Sequence, residues 1–240
     1  MASGRDGTVS AVAQALIATP KMLGIIPRGT ANDFASALGI PSGIPAACDV
    51  LIHGTPRRID TAQCNDLAMI LLAGIGFEAE TVERANRAAK TQWGALAYIL
   101  AGIQQLDRQE LFDAEIEIAG EKFNVRVRAI TIANAAPPTS VLAQVFGRVI
   151  PDDGLLEVTI GTAETNLQAL DAIADLMAAA MSQTPTHRED IICLRTPQIK
   201  ISTVPPQKIV IDGELVGTTP IEAKCIPKSL AVLVPVFFFA

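Results

Sequence analysis

Apolar positions change rhythm partway along the chain. Val9 to Ala18 carries apolar residues at helical spacing, Leu23 to Ile26 is a short continuous apolar run, and Ile44 to His53 returns to a helical period before the Gly54-Thr-Pro56 break. That order of helix, buried strand, loop and helix predicts an α/β unit. From Arg57 the pattern belongs to strands. Ile59 to Cys64 and Leu67 to Ala73 flank Asn65-Asp66, which predicts a hairpin. Glu115 to Ile118 and Asn124 to Arg128 alternate on either side of Gly120. Leu155 to Ile160, Ile191 to Leu194, Gln198 to Ser202, Ile209 to Ile211 and Ile221 to Lys224 follow as short strands between turns. Helices are predicted at Glu78 to Lys90, at Gly94 to Leu106 and over the alanine-rich Asn166 to Ser182, which carries a starting cap. The predicted architecture is α/β plus β: residues 1–56 form the α/β unit and 57–228 a β-sandwich with flanking helices. A terminal strand is predicted within 229–240, at Leu230 to Pro235.

Composition narrows the function classes. The chain has 240 residues, half of them hydrophobic, so a substantial core is affordable and disorder is not expected. Net charge is −6 with no lysine–arginine cluster, which argues against a nucleic-acid partner and against strong capture by an anionic membrane. No apolar run reaches the ~18 residues of a spanning helix. Met1 is followed by Ala-Ser-Gly-Arg, without the apolar segment of a secretory signal. Cys48, Cys64, Cys193 and Cys225 lack metal or redox spacing, as expected of reduced thiols in the cytoplasm. His53 and His187 are isolated, and no serine or cysteine lies in a nucleophile motif. Trp93, Tyr98, Leu100, Ile103 and Leu106 follow helical spacing; core packing outweighs a lipid groove as their reading.

Two loops carry the chemistry. Gly4-Arg5-Asp6-Gly7-Thr8 precedes the first helix, and Pro27-Arg-Gly29-Thr30-Ala-Asn32-Asp33-Phe34 joins the first buried run to the next. A strand, a tight loop and a helix start form a place where backbone N–H groups can face phosphate. Each loop alone reads equally well as a turn with a capping residue. Further along, Asp152-Asp153-Gly154-Leu155-Leu156 opens a strand and Asp212-Gly213-Glu214 reads as a hairpin turn with a solvated glutamate.

In this order and spacing the motifs resemble those of diacylglycerol kinases, above all the bacterial YegS-like lipid kinases. Ala73-Gly-Ile-Gly-Phe77 and Tyr98-Ile-Leu-Ala-Gly102 are similar to segments of that family's second domain. The resemblance implies a truncated Rossmann-like nucleotide domain of the NAD kinase and diacylglycerol kinase type, to which the terminal strand within 229–240 would return, followed by a β-sandwich. It implies ATP and Mg²⁺ as cofactors and transfer of a phosphoryl group to a lipid hydroxyl. A kinase of this kind is a cytoplasmic protein that visits the inner membrane face for its lipid substrate. Gly4, Arg5, Asp6, Gly7, Thr8, Thr30 and Asn32 would bind the nucleotide, with Asp6 near the magnesium. Helix capping is the stronger reading for Asn32, a functional role for Asp33. Glu214 would be the general base that takes the acceptor's proton. A structural Mg²⁺ would be held by the Asp153 carboxylate and the carbonyls of Ile150 and Leu155, bracing the second domain.

The sequence departs from the family pattern at four points. Arg5 replaces a glycine, either at a backbone cost of about 1 kcal/mol or more or as a phosphate neutraliser. Ser10 and Ala11 stand where Asn and Glu are usual in the first helical turn, and Asn134-Ala-Ala-Pro-Pro-Thr-Ser140 replaces a glycine-rich segment. Two upstream βα units of the family have no counterpart before Met1, so a misassigned start or a fragment is expected, with little activity from these 240 residues alone. The alternatives to a lipid kinase are a non-catalytic relative that binds lipid or protein, and an NAD kinase-like enzyme with a soluble acceptor. Exposed sheet edges would favour a homodimer.

Overall fold

The computed structural model describes residues 1–76, 111–137, 140–143, 145, 146, 149–182, 184, 185 and 187–236. The predicted helices Glu78 to Lys90 and Gly94 to Leu106, with Phe77 and the apolar positions from Trp93 to Leu106, lie outside the described residues.

Three-residue strands open the chain. β1 (Ala2–Gly4) and β3 (Ile25–Pro27) pair in parallel, connected through α1 (Asp6–Leu16). The single run expected at Leu23 to Ile26 is split, because its halves have different partners. β2 (Met22–Leu23) pairs with the C-terminal strand, and the chain then passes Gly24 to join β1. A Cβ on Gly24 would lie 2.4 Å from Leu51 Cδ2, so a larger residue there would displace that leucine side chain. Short α2 (Asp33–Ala37) precedes α3 (Ile44–His53), whose bounds follow from Gly43 before it, a proline in its first turn and Gly54 after it.

The remainder is two packed antiparallel sheets. In the first, β5 (Leu67–Met69), β4 (Thr55–Cys64), β15 (Ile221–Val234), β12 (Gln198–Val204), β7 (Phe112–Ile118) and β8 (Glu121–Val127) lie side by side, with β2 beside β15. The second runs β11 (Ile191–Thr196), β10 (Leu156–Gly161), β9 (Ala129–Ala133), β6 (Leu72–Gly76), β13 (Lys208–Ile211) and β14 (Glu214–Thr218). Alternation places Ala114, Ile116, Ile199 and Ile201 of the first sheet against Ile130, Ile132, Val158 and Ile160 of the second. The predicted hairpins turn at Asn65 and at Ala119-Gly120, both with positive φ. Helix α4 (Asn166–Ser182) starts with a reciprocal capping box: Gln168 N donates to Thr165 Oγ1 at 3.2 Å and Thr165 N to Gln168 Oε1 at 3.1 Å.

The separate strands expected at Ile221 to Lys224 and Leu230 to Pro235 are one strand. Its ladder with β4 shifts register between Ile226 and Leu230, where Lys228 takes φ 51°. Before the bulge Ala223 and Cys225 enter the sandwich core. After it, Leu230, Val232 and Val234 enter a second core with Val9, Leu23, Ile25, Phe34 and Ala35. The crossover Ile70-Leu71, which carries the chain from β5 to β6, is buried in that second core. The terminal strand, the crossover, Ile59 of β4 and Ala135 thus tie the loop-bearing unit to the sandwich.

Candidate active site

The first loop begins where β1 ends. Arg5 has φ −82° and ψ 173°, extended backbone open to any residue, so arginine causes no strain where the resemblance places glycine. Its carbonyl accepts the N–H groups of Thr8 at 3.0 Å and Val9 at 3.1 Å, which leaves those of Asp6 and Gly7 in the first turn of α1 for a ligand. A Cβ on Gly7 would meet nothing within 4 Å, so this turn borders open space. Thr8 and Thr30 are both exposed.

Asp6 locks the second loop onto the first. One carboxylate oxygen accepts the N–H of Asp33 at 2.6 Å and the other that of Asn32 at 3.1 Å. The start of α2 is therefore capped by a residue far upstream. Asn32 does not cap it: its side chain accepts from Gly29 N at 2.6 Å and donates to Gly29 O at 2.9 Å, while its backbone takes φ 53°. A Cβ on Gly29 would lie 2.9 Å from Asn32 Oδ1 and 3.3 Å from Arg5 Cα, so glycine permits the close approach of the two loops. Burial, then the neighbouring Asp6, pushes the Asp33 carboxyl up to about 6.

Glu214 is the exposed first residue of β14, reached through a turn at Asp212 (φ 48°) and Gly213 (φ 85°). The turn reading of Asp-Gly is therefore correct as geometry. Asp212, however, is no solvated turn residue. Its carboxylate accepts N–H groups of Ile70, Leu71 and Leu72 at 2.9, 2.8 and 3.2 Å, and burial pushes it up to about 6 against these bonds. Ile70 and Leu71 share a core with Val9, Phe34 and Ala35, on the helices that start at the two loops. Asp6, Gly29, Asn32 and Asp33 are in direct contact, and Glu214 is joined to the core beneath them through Asp212.

Ile150, Asp153 and Leu155 lie in the segment entering β10. Asp153 Oδ1 accepts Leu155 N–H at 3.0 Å. The segment is anchored by Asp60, a fully buried carboxylate that the sequence reading missed. Asp60 accepts from Gly154 N at 2.6 Å and Lys228 N at 2.7 Å, and its own N–H donates to Pro151 O at 2.7 Å. The only signal was an acidic residue amid an apolar strand pattern, Ile59-Asp60-Thr61-Ala62. Nearby, burial raises Glu157 to about 7 despite its 2.6 Å bond from Arg195. Among the described residues no three His, Cys, Asp or Glu gather as a metal cluster, so a cation at Asp153 would need backbone oxygens as well.

This pairing of two interlocked helix-start loops with an antiparallel sandwich has counterparts of known sequence and structure. Residues 1–64 match the sequence model of the diacylglycerol kinase catalytic domain, and 72–234 that of the YegS C-terminal NAD kinase beta sandwich-like domain. The chain is 55% identical to an uncharacterized protein of Synechocystis sp., with 98% of this chain and 54% of that protein covered. It is 30% identical to a diacylglycerol kinase of Bacillus subtilis, covering 98% of this chain and 77% of that enzyme. Two solved structures from Bacillus anthracis named for diacylglycerol kinase superpose with TM-scores of 0.77 and 0.71 at 23% and 20% identity. Each covers 97% of this chain, and 76% and 74% of those chains. The chain belongs to the diacylglycerol kinase and YegS-like lipid kinase family. It spans about half the length of the Synechocystis relative and about three quarters of the Bacillus enzyme. Among the described residues no helix is long and apolar enough to cross a membrane.

Proposed function

We propose that this protein transfers the terminal phosphoryl group of Mg-ATP to the hydroxyl of a diacylglycerol-type lipid at a membrane surface. The observation that carries the reading is the double hydrogen bond from the Asn32 and Asp33 amides to Asp6, which makes one site of the two loops. Family membership supports the kinase class. Phosphoryl transfer depends on positioning and charge neutralisation, and the loops supply both. Amides of Asp6 and Gly7 at the start of α1 receive phosphate oxygens, Thr8 and Thr30 add hydroxyl donors, and Arg5 adds charge. Asp6 and Asp33 are oxygen donors of the kind Mg²⁺ accepts beside phosphates. Bound Mg²⁺ would hold Asp33 ionised against its burial. Glu214, solvent-exposed at a strand start, takes the proton of the acceptor hydroxyl. Residues 1–56, with 229–240, serve the nucleotide and 57–228 the lipid.

The second cation site fits its donors: Asp153 and the carbonyls of Ile150 and Leu155 offer the hard oxygen ligands suited to Mg²⁺. Such an ion would brace the segment that Asp60 anchors and would stand apart from the chemistry.

The test is transfer of radiolabel from the γ-phosphate of ATP to dioleoylglycerol in mixed micelles, using the full-length gene product with any in-frame coding sequence upstream of Met1. Glu214→Gln should lower kcat by about 10²- to 10⁴-fold with the fold intact by circular dichroism. Unchanged turnover in that variant removes Glu214 as the base. Labelling of a soluble acceptor alone transfers the assignment to the NAD kinase-like alternative.

A further inference from the structure

The crossover Ile70 to Leu72 runs between the two sheets, with its first two residues buried and without a ladder of their own. Buried backbone groups in such a segment need partners. Asp212 receives all three of its N–H groups, and Asp212 N in turn donates to Leu72 O at 3.0 Å. From the other side Asn134 Nδ2 donates to Ile70 O at 3.0 Å, and the N–H groups of Asn134 and Ala135 donate to Leu71 O at 2.8 and 3.1 Å. Every N–H and C=O of the three residues is thus held, almost entirely by two side chains and their own backbone. Asn134 Nδ2 also donates to Asp60 O at 2.9 Å, reaching the residue that anchors the Asp153 segment. The arrangement has a cost. Asn134 is fully buried and its Oδ1 has no partner among the described residues, which costs stability.

Against that cost stand the two buried carbonyls that Nδ2 satisfies, and with them the placement of the crossover. β13 pairs with β6 through Ile211 and Ala73, the next residue is Asp212, and Glu214 faces Ile211 across the hairpin. Fixing the crossover therefore fixes the hairpin against the core that carries α1 and α2. We propose that Asp212 and Asn134 form a two-sided clamp on Ile70–Leu72 that sets the position of Glu214 relative to the Asp6–Asp33 loops, which makes both of them positioning residues for the transfer step. This rests on the reading of Glu214 as the base.

The experiment uses Asn134→Leu and Asp212→Asn in the full-length protein, read by kcat and KM in the lipid-labelling assay, by thermal midpoint, and by amide exchange at Ile70, Leu71 and Leu72. Asn134→Leu removes the two side-chain donors together with the orphaned oxygen. With the carbonyls of Ile70 and Asp60 left without that donor it should lower the thermal midpoint, and in the molecules that remain folded it should lower kcat by about 10²-fold, the scale of a small misplacement of a reacting group, with KM for ATP little changed. Asp212→Asn should lower kcat comparably and expose the three amides to exchange. Wild-type kcat in Asn134→Leu, or kcat losses that only follow the loss of folded protein in both variants, would overturn the clamp. Failure of the underlying reading looks different: Glu214→Gln then keeps its turnover, or the wild type transfers no label. In the second case exchange still decides, since unchanged protection of the three amides in Asp212→Asn overturns the clamp without any turnover.

Discussion

The sandwich and the loop-bearing unit are ordered by different means. Along β7 and β12 of the sandwich, Ala114, Ile116, Ile199 and Ile201 point inward while Glu115, Glu117 and Lys200 stay at the surface, and the paired strands repeat the pattern over seven residues each. Burial is spread over more than twenty core residues, and each backbone bond has like neighbours. The loop-bearing unit has strands of two and three residues and an α2 of five, none of which is stable alone. It shares a core with the terminal strand and the crossover, but its two loops are held by individual side-chain-to-backbone bonds, Asp6 to Asn32 and Asp33, and Asn32 to Gly29. A distributed core loses stability by degrees, whereas a loop held by one carboxylate can lose its geometry at a single substitution. The residues proposed to do chemistry sit in the second kind of structure.

The largest stability effect should come from the sandwich. Ile116→Ala leaves a cavity in a fully buried site and should cost about 2–5 kcal/mol, read as a fall in the urea midpoint with little change in slope. Activity per folded molecule should survive. Asp6→Ala leaves two amides at the start of α2 without their acceptor and should cost less, about 1–3 kcal/mol, yet abolish labelling of the lipid at temperatures where it remains folded. If Asp6→Ala lost activity only in proportion to folded protein, the distinction between the two regions would fail.

What the sequence disclosed divides along the same line. α3 was legible because Gly43, Pro45 and Gly54 punctuate a helical period, and the β7–β8 hairpin because alternation brackets a glycine. β9 was not: Ala129 to Ala133 is buried on both faces and shows no alternation. β14 was not either, since Glu214-Leu-Val-Gly-Thr218 is exposed throughout and reads as the tail of a turn. Lys228 and Ser229 looked like the gap between two strands where the chain in fact bulges within one. At the site, motif resemblance singled out Asp6, Asn32 and Asp33 as residues. The local reading gave Asn32 a capping role that Asp6 performs, because the partner lies 26 residues upstream and local spacing holds no trace of it. The roles of Asp60 and Asn134 were illegible for the same reason: their partners, Gly154, Lys228, Ile70 and Leu71, are far away in sequence.

The finest test of the comparison is a pH dependence confined to the loops. In the folded protein burial, then Asp6, raises the Asp33 carboxyl from 3.8 to about 6. The folded state therefore holds this proton more tightly than the unfolded chain does. The stability so gained is complete below about pH 4 and is lost as pH rises through 6, where folding must accommodate an ionised buried carboxylate. Asp33→Asn never ionises, so without Mg²⁺ it should melt above the wild type near pH 7.5, and the gap should narrow on acidification towards about pH 4.5. Glu157 and Asp212 have the same sign but are present in both proteins, and they cancel in the difference. Adding Mg-ATP should favour the wild type alone, because the cation stabilises ionised Asp33 and finds no charge in the variant. A melting gap independent of pH would show that Asp33 is not strained by its burial beside Asp6. The loops would then be held as passively as the sandwich.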